Sequence, residues 1–488
     1  MLRATPQSQQ IAAVEKLSTY RIGGMFMEMG TGKSLAAMML ALKRQERINK
    51  VVWFCPVGLK ETVDVEISKQ LVDPSIYMFS DHTQGGKIPK AFWYIVGIES
   101  MSSSDRVRLA VNTLIDAQTM VILDESSYCK NHQAERTKWI TGISRRARYR
   151  LILTGTPIAK GIQDIFAQMM FLDEKVLGYR SFYSFAANHL EYSDRQKGLV
   201  VKAHNVPWLS AKIAPYIYQV TKAECLDLPE KLFEYRWVAM TTEQARLYDL
   251  AKSRLFEELM SCDDADLESV IVYRLFCACR QAACGFWNDR GPLTRRGERQ
   301  ELIVREAPHG RLDALVDMVG QIPEGERVVI WAEWIRDIDD IKEALSREYG
   351  QENVCELTGR VKPKVRDAEI QRFRNGARFI VGTPSTGGHG YTFVEASYAI
   401  FYAMGMEYPK HVQAQDRIHR IGQTRACTYG YIGVRHSIDE RILELNSKKQ
   451  GISDYFRNTV QKIRDKTGRI QALKELLGEV IRDEEQIA

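Results

Sequence analysis

The chain has 488 residues, 45% of them hydrophobic, and 68 Lys and Arg against 62 Asp and Glu leave a net charge of +6. This length exceeds one ordinary core and fits about three units. No apolar run is long enough for a membrane span and the opening Met1-Leu2-Arg3-Ala4-Thr5-Pro6 lacks a secretory apolar core, so a cytoplasmic protein is expected.

Residues 5 to 20 read as a helix with Ile11, Ala12, Val14 and Leu17 on an apolar face. Its glutamines Gln7, Gln9 and Gln10 carry amides that could read an adenine edge, which both donates and accepts. The apolar run Ile22 to Met29 then turns through Gly30-Thr31-Gly32-Lys33-Ser34 into the helical Leu35 to Leu42. A strand that passes through glycines into a helix aims backbone N–H groups at one point, where Lys33 adds charge and Ser34 a hydroxyl for magnesium. This is the pattern of a triphosphate cradle, although Met27 stands where the strict pattern has glycine.

Val51 to Pro56 and Trp93 to Ile98 have the continuous apolar character of buried parallel strands. A third such run, Met120 to Leu123, ends in Asp124-Glu125, at the carboxyl end where open α/β sheets bind ligands. Asp124 is suited to magnesium and Glu125 to polarising an attacking water. Tyr149 to Leu153 runs into Thr154-Gly155-Thr156-Pro157, whose hydroxyls could relay the state of the acidic pair. Four βα units predict a nucleotide-binding domain over residues 1–165.

From 166 to 306 the pattern turns helical and aromatic and reads as a linker. Nine cysteines at irregular spacing predict reduced thiols, and the cluster Cys277, Cys279 and Cys284, with neither a CxxC pair nor a histidine group, predicts core packing rather than zinc.

The α/β rhythm returns over 307–446, with strands at Arg327 to Ala332, Val354 to Leu357, Ala377 to Gly382 and Ala399 to Tyr402. The glycine-rich loop Thr383 to Gly390 lets backbone approach a ligand, and the following helix is expected to carry Gln413, Asp416, Arg417, His419, Arg420 and Gln423. Arg417 and Arg420, three apart, would leave one helical face toward a γ-phosphate. This half has no phosphate loop of its own, which predicts a site completed by both halves. Residues 447–488 form a tail whose basic part, Lys448 to Lys474, carries eight basic and two acidic residues; a helix over 453–482 is expected, its basic part touching DNA or folding back on a lobe, with apolar Ile463, Ile470, Leu473, Leu476, Leu477 and Val480 favouring docking. Arginines also crowd at Arg145, Arg146, Arg148 and Arg150, and at Arg290, Arg295, Arg296 and Arg299, a distribution compatible with gripping phosphates.

Glu28-Met29-Gly30-Thr31-Gly32-Lys33-Ser34, Asp124-Glu125-Ser126-Ser127, Leu153-Thr154-Gly155-Thr156-Pro157 and above all Gln413-Ala414-Gln415-Asp416-Arg417-Ile418-His419-Arg420-Ile421-Gly422-Gln423 together resemble the Swi/Snf-like branch of superfamily-two helicases, in the compact form of phage and bacterial genomes. The resemblance runs from about Gln7 to Leu445. It implies an ATPase with two RecA-like lobes of parallel sheet, joined by a mostly helical insertion, that moves along double-stranded DNA, as a monomer, with ATP and magnesium. By position it implies Met29 to Ser34 and Gly388 at the nucleotide, Ser34 and Asp124 at the metal, Glu125 at the water, Arg417 and Arg420 as arginine fingers, and Gln10 at the adenine. Thr154, Thr156 and Gln413 would couple the lobes, and Pro56, Val57, Lys60, Glu99, Thr386 and Gly387 would meet DNA. Met27, Ser127 and Gln219-Val220 depart from the family's pattern at positions of regulation and coupling. With no bromodomain or chromodomain, a minimal motor is expected rather than a chromatin remodeller. A strand-separating or branch-migrating helicase and a non-catalytic nucleic-acid adaptor are the competing expectations.

Overall fold

A computed structural model describes the chain except residues 81–82, 84–87, 156, 159–160, 193–199, 226–227, 263, 292–301, 388–390, 450, 457–459, 461–462, 464 and 478–488. Seventeen strands follow in chain order among the described residues. They are β1 (Ile22–Met27), β2 (Lys50–Cys55), β3 (Ile76–Met78), β4 (Trp93–Gly97), β5 (Thr119–Leu123), β6 (Tyr149–Thr154), β7 (Leu190–Tyr192), β8 (Val200–Ala203), β9 (Ile217–Val220), β10 (Lys231–Val238), β11 (Phe286–Asp289), β12 (Ile303–Glu306), β13 (Val328–Trp331), β14 (Val354–Leu357), β15 (Phe379–Gly382), β16 (Tyr398–Phe401) and β17 (Cys427–Val434).

Two units emerge. The first comprises Met1–Tyr192 and Val200–Asp227, and Leu228–Ala488 belongs to the second. The first is built on a seven-stranded sheet in the order β3-β4-β2-β5-β6-β1-β9, paired in parallel throughout. Its strands are apolar on both faces because helices cover both. Val52, Phe54, Val121 and Leu123 enter one core, and Val51, Trp53, Met120 and Ile122 enter the other.

The second unit repeats the construction on six parallel strands, β10-β17-β16-β13-β15-β14. Val329, Trp331, Phe401 and Tyr429 face one layer, and Val328, Ile330, Ile400 and Ile432 the other. These are the two RecA-like lobes expected from the sequence.

The segment 166–306, read as a linker, is not uniformly helical: β9 extends the first sheet, and β10, just beyond the division between units, extends the second. β17 also escaped the sequence reading. Its Gly430 and Gly433 look like breakers, yet a Cβ on Gly430 would lie 2.5 Å from Met318 Sδ and one on Gly433 2.5 Å from the Trp237 ring, so close packing requires both.

The tail is not one long helix. Short Ile452–Tyr455 precedes Lys466–Leu476, which buries Leu473, Leu476 and Leu477 in the second unit's core, while Val480 lies outside the described residues. Arg469 pairs with Glu268 at 2.7 Å, and Lys466 Nζ donates to the carbonyls of Met260 and Cys262. Lys466 and Arg469 therefore serve docking. Cys279 and Cys284 are buried on the packed side of the helix Ala265–Ala283 and the turn after it.

Candidate nucleotide site

The candidate site of the first unit lies along the carboxyl edge of its sheet, where register sets neighbours. Phe26 pairs with Thr154, Ile152 with Leu123, Leu123 with Phe54 and Cys55 with Gly97. Loops leaving β1, β6, β5, β2 and β4 therefore stand side by side in that order. They carry, in turn, residues 28–32, Gly155, Asp124-Glu125, Pro56-Val57 and Ile98-Glu99.

Gly30 and Gly32 both have φ of 85°, which their lack of a side chain permits, and Gly32 caps the helix Lys33–Lys43. Met29 and Thr31 belong to the same loop, and Thr31 Oγ1 donates to Glu28 O at 2.7 Å. Lys33 Nζ donates to Met27 O at 2.8 Å, folding across the loop's mouth. A Cβ on Gly155 would stand 3.4 Å from Met29 N and 3.5 Å from Lys33 Nζ, so the β6 loop closes against the cradle. Ser34 opens the helix in its first turn.

Asp124 N donates to Phe54 O at 2.8 Å, which continues the strand pairing beyond β5. Its Oδ2 accepts from Trp53 Nε1 at 3.3 Å and its Oδ1 from Glu125 N at 2.9 Å. Burial, then the charge of Glu125, pushes the Asp124 carboxyl up to about 7, opposed by Lys33. Glu125 has φ of 46°, a strained conformation for a residue with a side chain, set as the chain turns off the sheet.

These groups fit a magnesium nucleotide. Ser34, Asp124 and Glu125 offer only oxygen donors, and a carboxyl pushed up by burial and by a neighbouring carboxylate is one that a divalent cation would return to its ionised form.

Gln10 was expected to read adenine, but its amide is committed inward. Its Oε1 accepts from Gln7 N at 2.8 Å and its Nε2 donates to Gly32 O at 3.3 Å; a Cβ on Gly32 would lie 1.9 Å from that nitrogen. Gln9 likewise donates to Thr31 O, and to Gln7 Oε1 at 2.6 Å. Both buried glutamines brace the loop from the helix Ser8–Ser18, leaving Gln7 as the outermost of the three.

The expected DNA contacts Pro56, Val57, Lys60 and Glu99 gather on the same sheet edge. Val57 N donates to Glu99 Oε2 at 2.9 Å, and Lys60 Nζ donates to Phe79 O at 2.8 Å. A residue the sequence reading missed is Gln168. Fully buried, it accepts from Ser126 Oγ at 2.7 Å and donates to the carbonyls of Pro157 and Asp164. It ties the turn after Asp124-Glu125 to the loop after Thr154; its only sequence signal is an amide set within the apolar run Ile165 to Leu172.

In the second unit the expected helix through Arg420 stops early. Tyr408–Gln415 is helical and half-buried Gln413 lies on it, but residues 416–422 form turns ending at Gly422, whose φ is 100°. The arginines thus leave successive turns rather than one helical face, and still converge. Buried Arg417 donates from Nη1 to Tyr391 O at 3.1 Å, and half-buried Arg420 from Nη1 to Thr392 Oγ1 at 2.7 Å. Arg374 Nη2 reaches Thr392 O at 3.1 Å. Thr386 takes a 2.9 Å bond from Thr383 Oγ1, and Gly387 ends the short helix Pro384–Gly387. Thr156 and Gly388 lie outside the described residues.

Comparison with known proteins gives this arrangement relatives. Residues 8–281 match the SNF2-related domain and residues 310–422 the helicase conserved C-terminal domain. An uncharacterized ATP-dependent helicase of Mycoplasma pneumoniae is 24% identical over 68% of this chain and 30% of its own length. A Caenorhabditis elegans homologue of the SWI/SNF-related matrix-associated actin-dependent regulator of chromatin subfamily A-like protein 1 is 24% identical over 88% of this chain and 59% of its own. The chain thus spans less than two thirds of either relative. The SWI2/SNF2 ATPase core of Sulfolobus solfataricus, solved in complex with dsDNA, aligns over 98% of both chains at 21% identity and a TM-score of 0.43. Both family matches fall on the two parallel-sheet lobes, and the chain belongs to the SNF2-related family, within the Swi/Snf-like branch of the superfamily-two ATP-dependent helicases.

Proposed function

We propose that this chain hydrolyses ATP with magnesium and uses the energy to move along double-stranded DNA. The observation that carries this reading is the order of loops on the first sheet's carboxyl edge: phosphate loop, Thr154-Gly155 loop, acidic pair, then the Pro56–Lys60 and Glu99 segments. A change at the phosphate end can pass through contiguous loops to the end assigned to DNA.

In this reading backbone N–H groups of residues 29–33 and the Lys33 ammonium hold the β- and γ-phosphates. Ser34 and Asp124 hold magnesium, which when bound neutralises charge between the phosphates. Glu125 orients the attacking water and takes its proton, and the turn at φ of 46° fixes where its carboxylate starts from. Arg417 and Arg420 supply positive charge to the transferred phosphoryl group, with Gly388 beside the nucleotide. Thr154, Thr156 and Gln413 couple nucleotide state to DNA contact. Pro56, Val57, Lys60, Glu99, Thr386 and Gly387 track the phosphodiester backbone. All nine cysteines are free, which suits the reducing cytoplasm assigned to a monomeric motor.

Steady-state phosphate release with and without duplex DNA tests the reading. Duplex should accelerate release, and Glu125→Gln should lower it by about 100-fold or more at unchanged folding. Release that ignores DNA, or survives Glu125→Gln, would leave a nucleic-acid adaptor. Displacement of a triplex strand without unwinding of a fork separates translocation from strand separation.

A further inference from the structure

At the opposite, amino edge of the first sheet lies a cavity of about 530 Å³ walled by Arg21, Arg145, Arg146, Arg148 and Arg150, with Asp173 as its one carboxylate. The fold gathers these arginines from separate segments. Arg21 precedes β1, Arg150 sits in β6 opposite Ile22, and Arg145 to Arg148 connect the helix Glu135–Ser144 to β6. The strands meet here through Arg150 N to Arg21 O at 3.0 Å and Arg148 N to Thr119 O at 2.9 Å.

Ordinary structural roles account for part of the set. Arg146 donates to the Asn112 side chain at 2.8 Å, Arg150 pairs with Asp173 at 3.2 Å, and Arg145 lies 3.7 Å from Glu174 at the end of a helix, where cations are favoured. Arg21 and Arg148 are exposed and have no carboxylate within salt-bridge distance among the described residues, although Arg148 also lies 5.9 Å from the centre of the Tyr149 ring. Arg150 Nε is buried without a hydrogen-bond partner. Burial pushes the Arg150 guanidinium down, Asp173 opposes this, and the charge of Arg145 adds to the downward push. Five like charges around one recess repel, and an anion between them would relieve that repulsion.

We propose that this cavity binds a compact oligophosphate, a short chain of phosphoryl groups held by the guanidinium forks of Arg21 and Arg148, with Arg150, whose Nη atoms donate to Phe171 O at 3.5 Å and Asp173 at 3.2 Å, adding charge behind them. Planar guanidinium pairs with phosphate oxygens through two parallel bonds. The volume suits a small ligand. Apart from the charged groups the walls are Ile22, Ala117 and Ala147, which offer no aromatic platform for the bases of single-stranded nucleic acid. A duplex is convex and spreads its phosphates along its length, whereas these cations surround one concavity.

Isothermal titration of inorganic tripolyphosphate into the full chain tests this, at low salt, without magnesium, and in a Lys33→Ala background that weakens the competing phosphate loop. Arg21→Ser with Arg148→Ser should weaken binding by about tenfold or more. Arg347→Ser with Arg441→Ser, an equal loss of charge at arginines elsewhere on the surface, should change it by less than about twofold. No saturable binding, or equal weakening in the charge-matched control, overturns the proposal. So does weaker binding of a short duplex by the Arg21/Arg148 variant with tripolyphosphate binding unchanged, which would make nucleic-acid backbone the occupant.

Discussion

Asp337 and Asp124 are both buried carboxyls pushed up to about 7, yet their surroundings differ in kind. Asp124 has Glu125 beside it at a sheet edge, where a cation can settle the charge. Asp337 lies in the first turn of the helix Ile335–Tyr349, with Oδ2 buried and lacking a hydrogen-bond partner; its cause is burial, opposed by Arg311. A displaced pKa thus marks a site only where neighbours give the charge a use. Between the ordinary 3.8 and about 7 the folded state holds a proton at Asp337 that the unfolded chain has lost, so its contribution to stability falls as pH rises through that window. The cost above the window is on the order of 4 kcal/mol. Asp337→Asn should therefore raise the urea midpoint at about pH 8 and lose that advantage near pH 4. An advantage independent of pH would show that Asp337 is ionised in the fold at little cost. At this scale the Asp124-Glu125 pair stood out only through its place after the phosphate loop, since an apolar strand ending in two acids has ordinary structural uses of its own. Which glutamine faces outward was not legible, because Gln7, Gln9 and Gln10 differ only in direction, and the helix start turns two of them under the loop.

The elements fixed by a single hydrophobic period were read correctly, while those whose ends depend on side-chain hydrogen bonds were not. β1, β2, β4, β5 and β6 declare themselves as unbroken apolar runs, whereas the stretch after Gln415 keeps helical spacing yet leaves the helix. Gln423 helps hold that new path. Its buried Nε2 faces the carbonyls of Val394, Ala396 and Ile418, and its Oε1 accepts from the backbone N–H of Thr424 and Arg425. Gln423→Ala strips these partners and should cost about 2–4 kcal/mol in urea unfolding. Gln423→Glu should cost more near neutral pH, because a carboxylate would face three carbonyl oxygens. Its deficit should shrink on acidification, when the protonated acid can donate again. Equal behaviour of the two variants at every pH would mean that the amide does not organise the turn carrying Arg417 and Arg420.

Across the whole molecule one construction occurs twice, a parallel sheet with apolar layers on both faces, and the copies differ in what their loops carry. Among the described residues only the first turns a strand through positive-φ glycines into a helix that opens at Lys33; the second offers Arg417 and Arg420, held at neighbouring residues 391 and 392. This asymmetry predicts two distinct defects from two single substitutions. On the proposed reading, Lys33→Ala removes a cation from the ground-state phosphates and should weaken ATP binding along with turnover. Arg420→Ala gives up its bond to Thr392 Oγ1 and its charge toward a transition state, so nucleotide affinity should stay within about threefold while DNA-stimulated turnover falls by about 1000-fold. Fluorescent-nucleotide binding and single-turnover hydrolysis, run on both variants beside Thr392→Ala, separate these effects. If Thr392→Ala matched the Arg420→Ala defect, the arginine's hold on its own loop would account for the loss. If Arg420→Ala kept DNA-stimulated turnover, its assignment to the phosphoryl group would fall, and Arg417, Arg374 or another cation would have to supply that charge.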